Sequence, residues 1–195
     1  MKSLSTLAAI HMSKSHDAGR GWLLVWSAVT AFAMLLVGSI ILAPIVRSVG
    51  GDSMTAQIIY QTFGHFCHQI PERSFHVAGA PFAVCARCFG IYAGFLAGVV
   101  CFPLWRRTAE RHFLSRWWLI AALLPMCLDA ALDFFGLWHN THTSRVITGA
   151  ILGVVASIYV VPGLTDVTKT LANVWRVFRS RQTVRDARGV SNKAT

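Results

Sequence analysis

Cys85 and Cys88 stand three residues apart, with Arg87 between them, near the head of the otherwise apolar run PFAVCARCFGIYAG, residues 81–94. On a helix that spacing puts both thiols on one face, where they can close a disulfide or bind one metal ion. An early helical turn and a neighbouring guanidinium both favour the thiolate. Cys67 lies upstream with His65 and His68 beside it. Three sulfurs and an imidazole make a tetrahedral donor set for zinc. Adjacent residues rarely ligate the same ion, so Cys67 with His65 is easier to build than Cys67 with His68. The competing reading is a structural disulfide in an oxidising compartment, with the histidines on the surface. Cys101 and Cys127 fall inside apolar runs and read as ordinary buried thiols.

Asp129 and Asp133 are the second candidate group. They lie four apart in another apolar run, on one helix face, and Arg145 opens the run after it. If the apolar runs bound the helices, Arg87 and Asp133 each lie about 7–8 Å inside a helix end at 1.5 Å per residue. A lone charge at mid-membrane costs at least ~2.5–3.5 kcal/mol. The cost is smaller at this depth, but an ion pair is still favoured, with Arg145 as a second partner and Arg73 as a further cation near the thiols. The alternative is that Arg87 and Arg145 snorkel to the headgroups.

The elements that hold these residues follow from hydropathy. The chain has 195 residues, 54% hydrophobic and 13% charged, where ordinary soluble domains carry about 25% charged residues. Four runs, 22–46, 82–104, 117–138 and 146–164, meet or approach the roughly 20 apolar residues a spanning helix needs. Backbone in hydrocarbon must satisfy its own hydrogen bonds, so these runs are expected to be helices. The expectation is an all-α polytopic membrane protein, with residues 1–21 as an N-terminal segment and residues 22–164 as the membrane domain. In residues 165–195, Val167, Leu171, Val174, Trp175 and Phe178 form one apolar stripe, with Lys169 and Arg176 facing away. That is an amphipathic helix suited to a membrane surface, followed from about Gln182 by unstructured chain. The short apolar stretch before residue 22 is broken by polar residues and does not read as a cleavable signal.

The net charge of +10 is distributed unevenly. Lys2, Lys14 and Arg20 precede the first run, Arg106, Arg107, Arg111 and Arg116 fill the loop after the second, and seven basic residues follow the fourth. The other two connections hold only Arg47 and Arg73. The positive-inside rule then predicts a multi-pass protein of the cell (inner) membrane with both termini cytoplasmic and the thiol-bearing end outside. The basic residues are expected to meet anionic lipid, not nucleic acid. Gly90, Gly94 and Gly98 form a small-residue stripe, repeated by Gly149 and Gly153. Such stripes let helices approach closely, within the chain or between copies in a homo-oligomer. Between the first two runs, Asp52 or Ser53 is placed to cap a short helix ending near His65, and Pro81 to sit in the first turn of the next one.

The segments CHQIPERSF (67–75), CARCFGIYAG (85–94) and Asp129 followed by SRVITGAILG (144–153) resemble the domain of unknown function 2085, a family of small prokaryotic membrane proteins. Phe89 stands where the family pattern has a small polar residue. The resemblance implies that Cys67, His68, Gln69, Arg73, Ser74, Cys85, Arg87, Cys88, Asp129 and Arg145 form a shared site. It brings no reaction with it. The residues themselves point first to a metal-binding membrane protein, zinc being the expected ion, with Asp129 or Asp133 as orienter or base. A second reading is a thiol–disulfide oxidoreductase with quinone access, similar in layout to DsbB and vitamin K epoxide reductase proteins. A third is a small transporter with Asp129, Asp133 and Arg87 along an ion or proton path.

Overall fold

A computed structural model describes the backbone of residues 3–50, 53–111, 115 and 117–191, and the side chains of 21–50, 53–104, 115, 117–179 and 181–182. Among the described residues the elements in chain order are α1 (Ser3–Gly50), α2 (Met54–Gly64), a 3₁₀ turn (Pro71–Arg73), β1 (His76–Val77), β2 (Ala80–Pro81), α3 (Ala86–Arg111), α4 (Trp117–Phe134) and α5 (His142–Ser191). The protein is all-α apart from the small antiparallel hairpin, whose Val77 pairs with Ala80 and His76 with Pro81. Among the described residues, four stretches are long and apolar enough to cross a membrane: Gly21–Gly50, Ala86–Leu104, Trp117–Phe134 and His142–Arg179. Their surfaces carry large apolar side chains at high exposure, Leu35 at 72% and Trp118 at 59% among them. Water does not tolerate such continuous apolar surface; a lipid bilayer does.

Residues 26–160 form one compact unit. The start of α1 up to Val25 and α5 from Val161 onward form a second. In that second unit Val167, Leu171, Val174, Trp175 and Phe178 are all exposed. This amphipathic segment is not a separate helix. It continues α5 without a break, and the helix runs on to Ser191, past the point where composition marks unstructured chain.

In the first unit, α3 and α5 meet through their glycines. A Cβ at Gly94 would lie 2.6 Å from the Cα of Ala150, and one at Gly153 would lie 2.6 Å from the backbone nitrogen of Phe95. Gly90 faces Val146, Gly98 faces Ser157 and Gly149 faces Arg87. Both stripes therefore face each other within one chain, which occupies the faces that the sequence offers to a second copy. Small residues bring backbones this close because hydrocarbon supplies no hydrophobic force and packing must do the work. Cys127 faces outward and is exposed, unlike the buried thiol expected from its place in an apolar run.

The connection between α1 and α3 is ordered. Ser53 caps α2 by accepting from the Ala56 amide at 3.3 Å, while Asp52 lies outside the described residues. Pro71 opens the 3₁₀ turn. Ala78 and Gly79 both have positive φ, the requirement of the tight two-residue hairpin loop that matches strand twist. Pro81 belongs to this hairpin, so α3 starts at Ala86 and not at residue 82. Phe63, Cys67, Phe82, Ala83 and Val84 pack with Ile40 and Ala43 of α1 into one buried cluster. At the far end of α4, Gly136 adopts a φ of 67°. The Leu137 amide donates to the Leu132 carbonyl at 3.0 Å and the Gly136 amide to that of Asp133 at 3.1 Å. This is a Schellman stop, and it ends α4 at Phe134, short of residue 138. Thr141 then accepts from the Ser144 amide at 3.1 Å, starting α5 at His142 rather than 146.

Candidate functional site

The three candidate thiols arrive from two directions. Cys67 follows the end of α2, where its amide donates to the Phe63 carbonyl at 2.9 Å. Cys85 immediately precedes α3, and its carbonyl accepts from the Phe89 amide at 2.9 Å, as the residue before a first helical turn does. Cys88 sits one turn in. The Cys85 amide reaches back to the Cys67 Sγ at 3.3 Å. All three Sγ atoms lie within 4.8 Å of one another, Cys67 buried and the other two half-buried. This group of three could hold a metal ion. Neither histidine belongs to it. His65 is exposed, with Nδ1 2.8 Å from the Gln61 carbonyl oxygen, while exposed His68 lines the same cavity as the thiols.

Hydrogen bonds to Cys67 and then Cys88 hold the Cys85 thiol well below the ordinary thiol pKa. Desolvation opposes them, and the backbone amides of Cys88 and Arg87 add to them. The main physical source is the clustering of the thiols, with the unpaired first amides of α3 as the smaller contribution.

The loop that carries Cys67 is pinned by Gln69. Its φ is 50°, and its side-chain Nε2 donates to the carbonyls of Tyr60 and Ala83, each at 2.7 Å. The Tyr60 hydroxyl donates to the Pro81 carbonyl. Ser74 is fully buried and donates to the Ile70 carbonyl at 2.9 Å. Phe75, Phe82 and Phe89 stack edge-on or tilted, with ring centroids 5.3–5.9 Å apart. Phe89, at the position where the family pattern has a small polar residue, thus fills an aromatic cluster under the loop.

Beside the thiols lies an ionic network. Arg87 donates to Asp129 at 2.7 Å and Arg145 to Asp133 at 3.1 Å, while Arg73 stands 3.4 Å from Asp133. The side chains of Asp129 and Arg145 are 10% and 9% exposed. Arg87 is only the second residue of α3 and Asp133 the second-last of α4, so both are shallower than the hydropathy boundaries imply. The early Schellman stop and the late start of α3 account for the difference. Asn140 donates to the Asp129 carbonyl at 2.9 Å and to its carboxylate at 2.7 Å, and Ser144 adds a third bond at 3.0 Å. The types and spacing of charged residues do not reveal Asn140 or Ser144. Their one signal is position, in the short turn between Asp133 and Arg145.

A cavity of about 220 Å³ joins the two halves, lined by Cys67, Cys85, Cys88, Arg73, Arg87 and Arg145. Asp129 and Asp133 stand behind the arginines and are not part of the thiol group.

Long apolar helices whose polar residues converge where α3 and α5 begin and α4 ends define a multi-pass membrane protein with a thiol-lined site. The chain belongs to the DUF2085 family, whose model, described as a predicted membrane protein, matches residues 67–159. It is 38% identical over 128 residues to an uncharacterized protein of Methanocaldococcus jannaschii, covering 64% of this chain and 82% of that one. An uncharacterized protein of Methanothermobacter thermautotrophicus is 29% identical over 119 residues, covering 60% and 96%. No solved structure matches the chain.

Proposed function

We propose that Cys67, Cys85 and Cys88 bind a single zinc ion on the extracytoplasmic side of the cell membrane. The carrying observation is the convergence of three thiol sulfurs within 4.8 Å. A tetrahedral zinc with bonds of about 2.3 Å spaces its sulfurs about 3.8 Å apart, so the group contracts by about an ångström or less on binding. The lowered pKa of Cys85 favours the thiolate that zinc requires. The fourth position falls to the cavity and suits water, since His68 on its wall is the immediate neighbour of Cys67. The ion clamps the loop after α2 onto the start of α3. With water in the fourth position it also becomes a Lewis acid.

The orientation rests on the distribution of Lys and Arg, and the exposed stripe from Val167 to Phe178 suits a cytoplasmic anionic lipid surface. The test is elemental analysis of chain purified reduced and without chelators. About one zinc per chain is expected, and Cys67→Ser or Cys85→Ser should lower occupancy at least tenfold, each removing one of three thiolates. Wild-type protein without stoichiometric metal overturns the reading. Thiol–disulfide exchange is the second reading, favoured by the same lowered Cys85 thiol. It gains if that preparation is metal-free and its thiols change labelling with redox poise.

A further inference from the structure

The thiol cavity has a second wall that the metal reading leaves without a role. Arg73 comes from the 3₁₀ turn, Arg87 from α3 and Arg145 from α5, and all three line the cavity. Arg87 and Arg145 each give one terminal nitrogen to an aspartate, and no other hydrogen bond from either guanidinium is found among the described residues. The Nε atoms of both are buried without a partner. Arg73, half exposed, shares Asp133 with Arg145, so three guanidiniums face two carboxylates. Three cations converge on one cavity from three elements, two of them fixed by hydrogen-bonded ion pairs that leave their second terminal nitrogens without a partner among the described residues. That arrangement costs desolvation and is not required by a trithiolate site.

We propose that this wall binds a tetrahedral oxyanion of the phosphoryl class beside the thiols. Charge-assisted guanidinium donors suit phosphoryl oxygens, and donors from three side chains match three oxygens better than the two of a carboxylate. The cavity of about 220 Å³ is smaller than the ~300–1,000 Å³ clefts that take drug-sized ligands, so the bound group is small or is the head of a longer molecule whose remainder lies outside. Three guanidiniums against two carboxylates leave the wall with little net charge, so affinity comes mainly from directed donors. The cavity lies where the spanning helices α3 and α5 begin, so free phosphate and a phospholipid head present the same chemistry to it. The inference goes beyond the metal reading, because the guanidiniums are in place with or without an ion.

The test is calorimetric titration of the full chain with inorganic phosphate, in a detergent free of phospholipid and against chloride of equal ionic strength. Reduced protein is used both metal-free and zinc-loaded. Saturable one-to-one binding is expected in at least one form. It should weaken about tenfold or more in Arg73→Gln, which removes a charge-assisted donor. Arg73→Lys, which keeps the charge and loses the fork, should fall between. No saturable binding in either form, or unchanged affinity in both variants, overturns the proposal. Zinc uptake without phosphate binding sinks the oxyanion site alone, and phosphate binding without zinc uptake sinks the metal reading alone. Repeating the titration in phosphatidylglycerol nanodiscs separates the sources: retained binding assigns a soluble oxyanion, and binding abolished by the bilayer assigns a lipid headgroup.

Discussion

At the residue scale the chemistry centres on Cys85. It ends an irregular segment beside the Cys67 and Cys88 sulfurs, so in the thiolate form it accepts hydrogen bonds from those thiols first and from the opening amides of α3 second, which an unfolded chain cannot supply. Because the folded pKa is lowered, its contribution to stability is fully present above the ordinary thiol pKa. That contribution is lost progressively as pH falls toward the folded value. Alkylation of reduced, metal-free protein reads this directly. An ordinary thiol slows about tenfold per pH unit below its pKa. Cys85, followed by peptide mass spectrometry, is expected to slow less than about tenfold in total between pH 8 and pH 6. A full proportional decline would remove the case for a preformed thiolate. Cys67 and Cys85–Cys88 are legible in the sequence as chemistry because of the three-residue thiol spacing around a guanidinium that is costly in an apolar run, and because a third cysteine stands among histidines upstream. Gln69 and Ser74 are legible only through family resemblance, since their work is to bond backbone carbonyls that folding brings near. Asn140 carries no such mark, and Ser144 opens a family-like segment without standing among the residues of the implied shared site. An asparagine in a turn looks the same whether it faces water or completes the bonding of a buried aspartate.

At the element scale, the seam between α3 and α5 sets the distance between Arg87 and Arg145 and hence the width of the cavity. Its glycines are not interchangeable with others in the chain. A Cβ at Gly94 would meet the backbone of Ala150, whereas one at Gly38 in α1 would meet nothing within 4 Å. Gly94→Ala is therefore expected to destabilise by about 1–3 kcal/mol, the usual cost of overpacking. Gly38→Ala should be neutral or stabilising by up to about 1 kcal/mol, the helix-propensity gain over glycine. Thermal unfolding of both variants in the same detergent checks this; equal melting temperatures would mean that the seam is not a tight contact. The stripes are visible in sequence as spacing. Which stripe faces which is not, because a glycine presents no side chain from which a partner could be inferred.

At the scale of the whole molecule, the positive-inside rule applied to the uneven basic residues predicts both ends of the chain on the cytoplasmic side. A C-terminal green fluorescent protein fusion should therefore fluoresce and a C-terminal alkaline phosphatase fusion should be inactive. The reverse pattern would turn the thiol site toward the cytosol. Hydropathy alone determined the four helices, because the bilayer demands about 20 apolar residues and an internally bonded backbone wherever the chain crosses it. It did not determine where those helices end. A tight hairpin holds Pro81 ahead of α3, and Gly136 stops α4 early, both decided by local φ angles in segments that remain apolar. Tertiary structure alone decided that Arg87 takes Asp129 and Arg145 takes Asp133. It also decided that the third sulfur comes from a loop folded back over the start of α3. Hydropathy is a sum over neighbours along the chain, whereas an ion pair or a thiol cluster depends on distances between residues that are far apart in it.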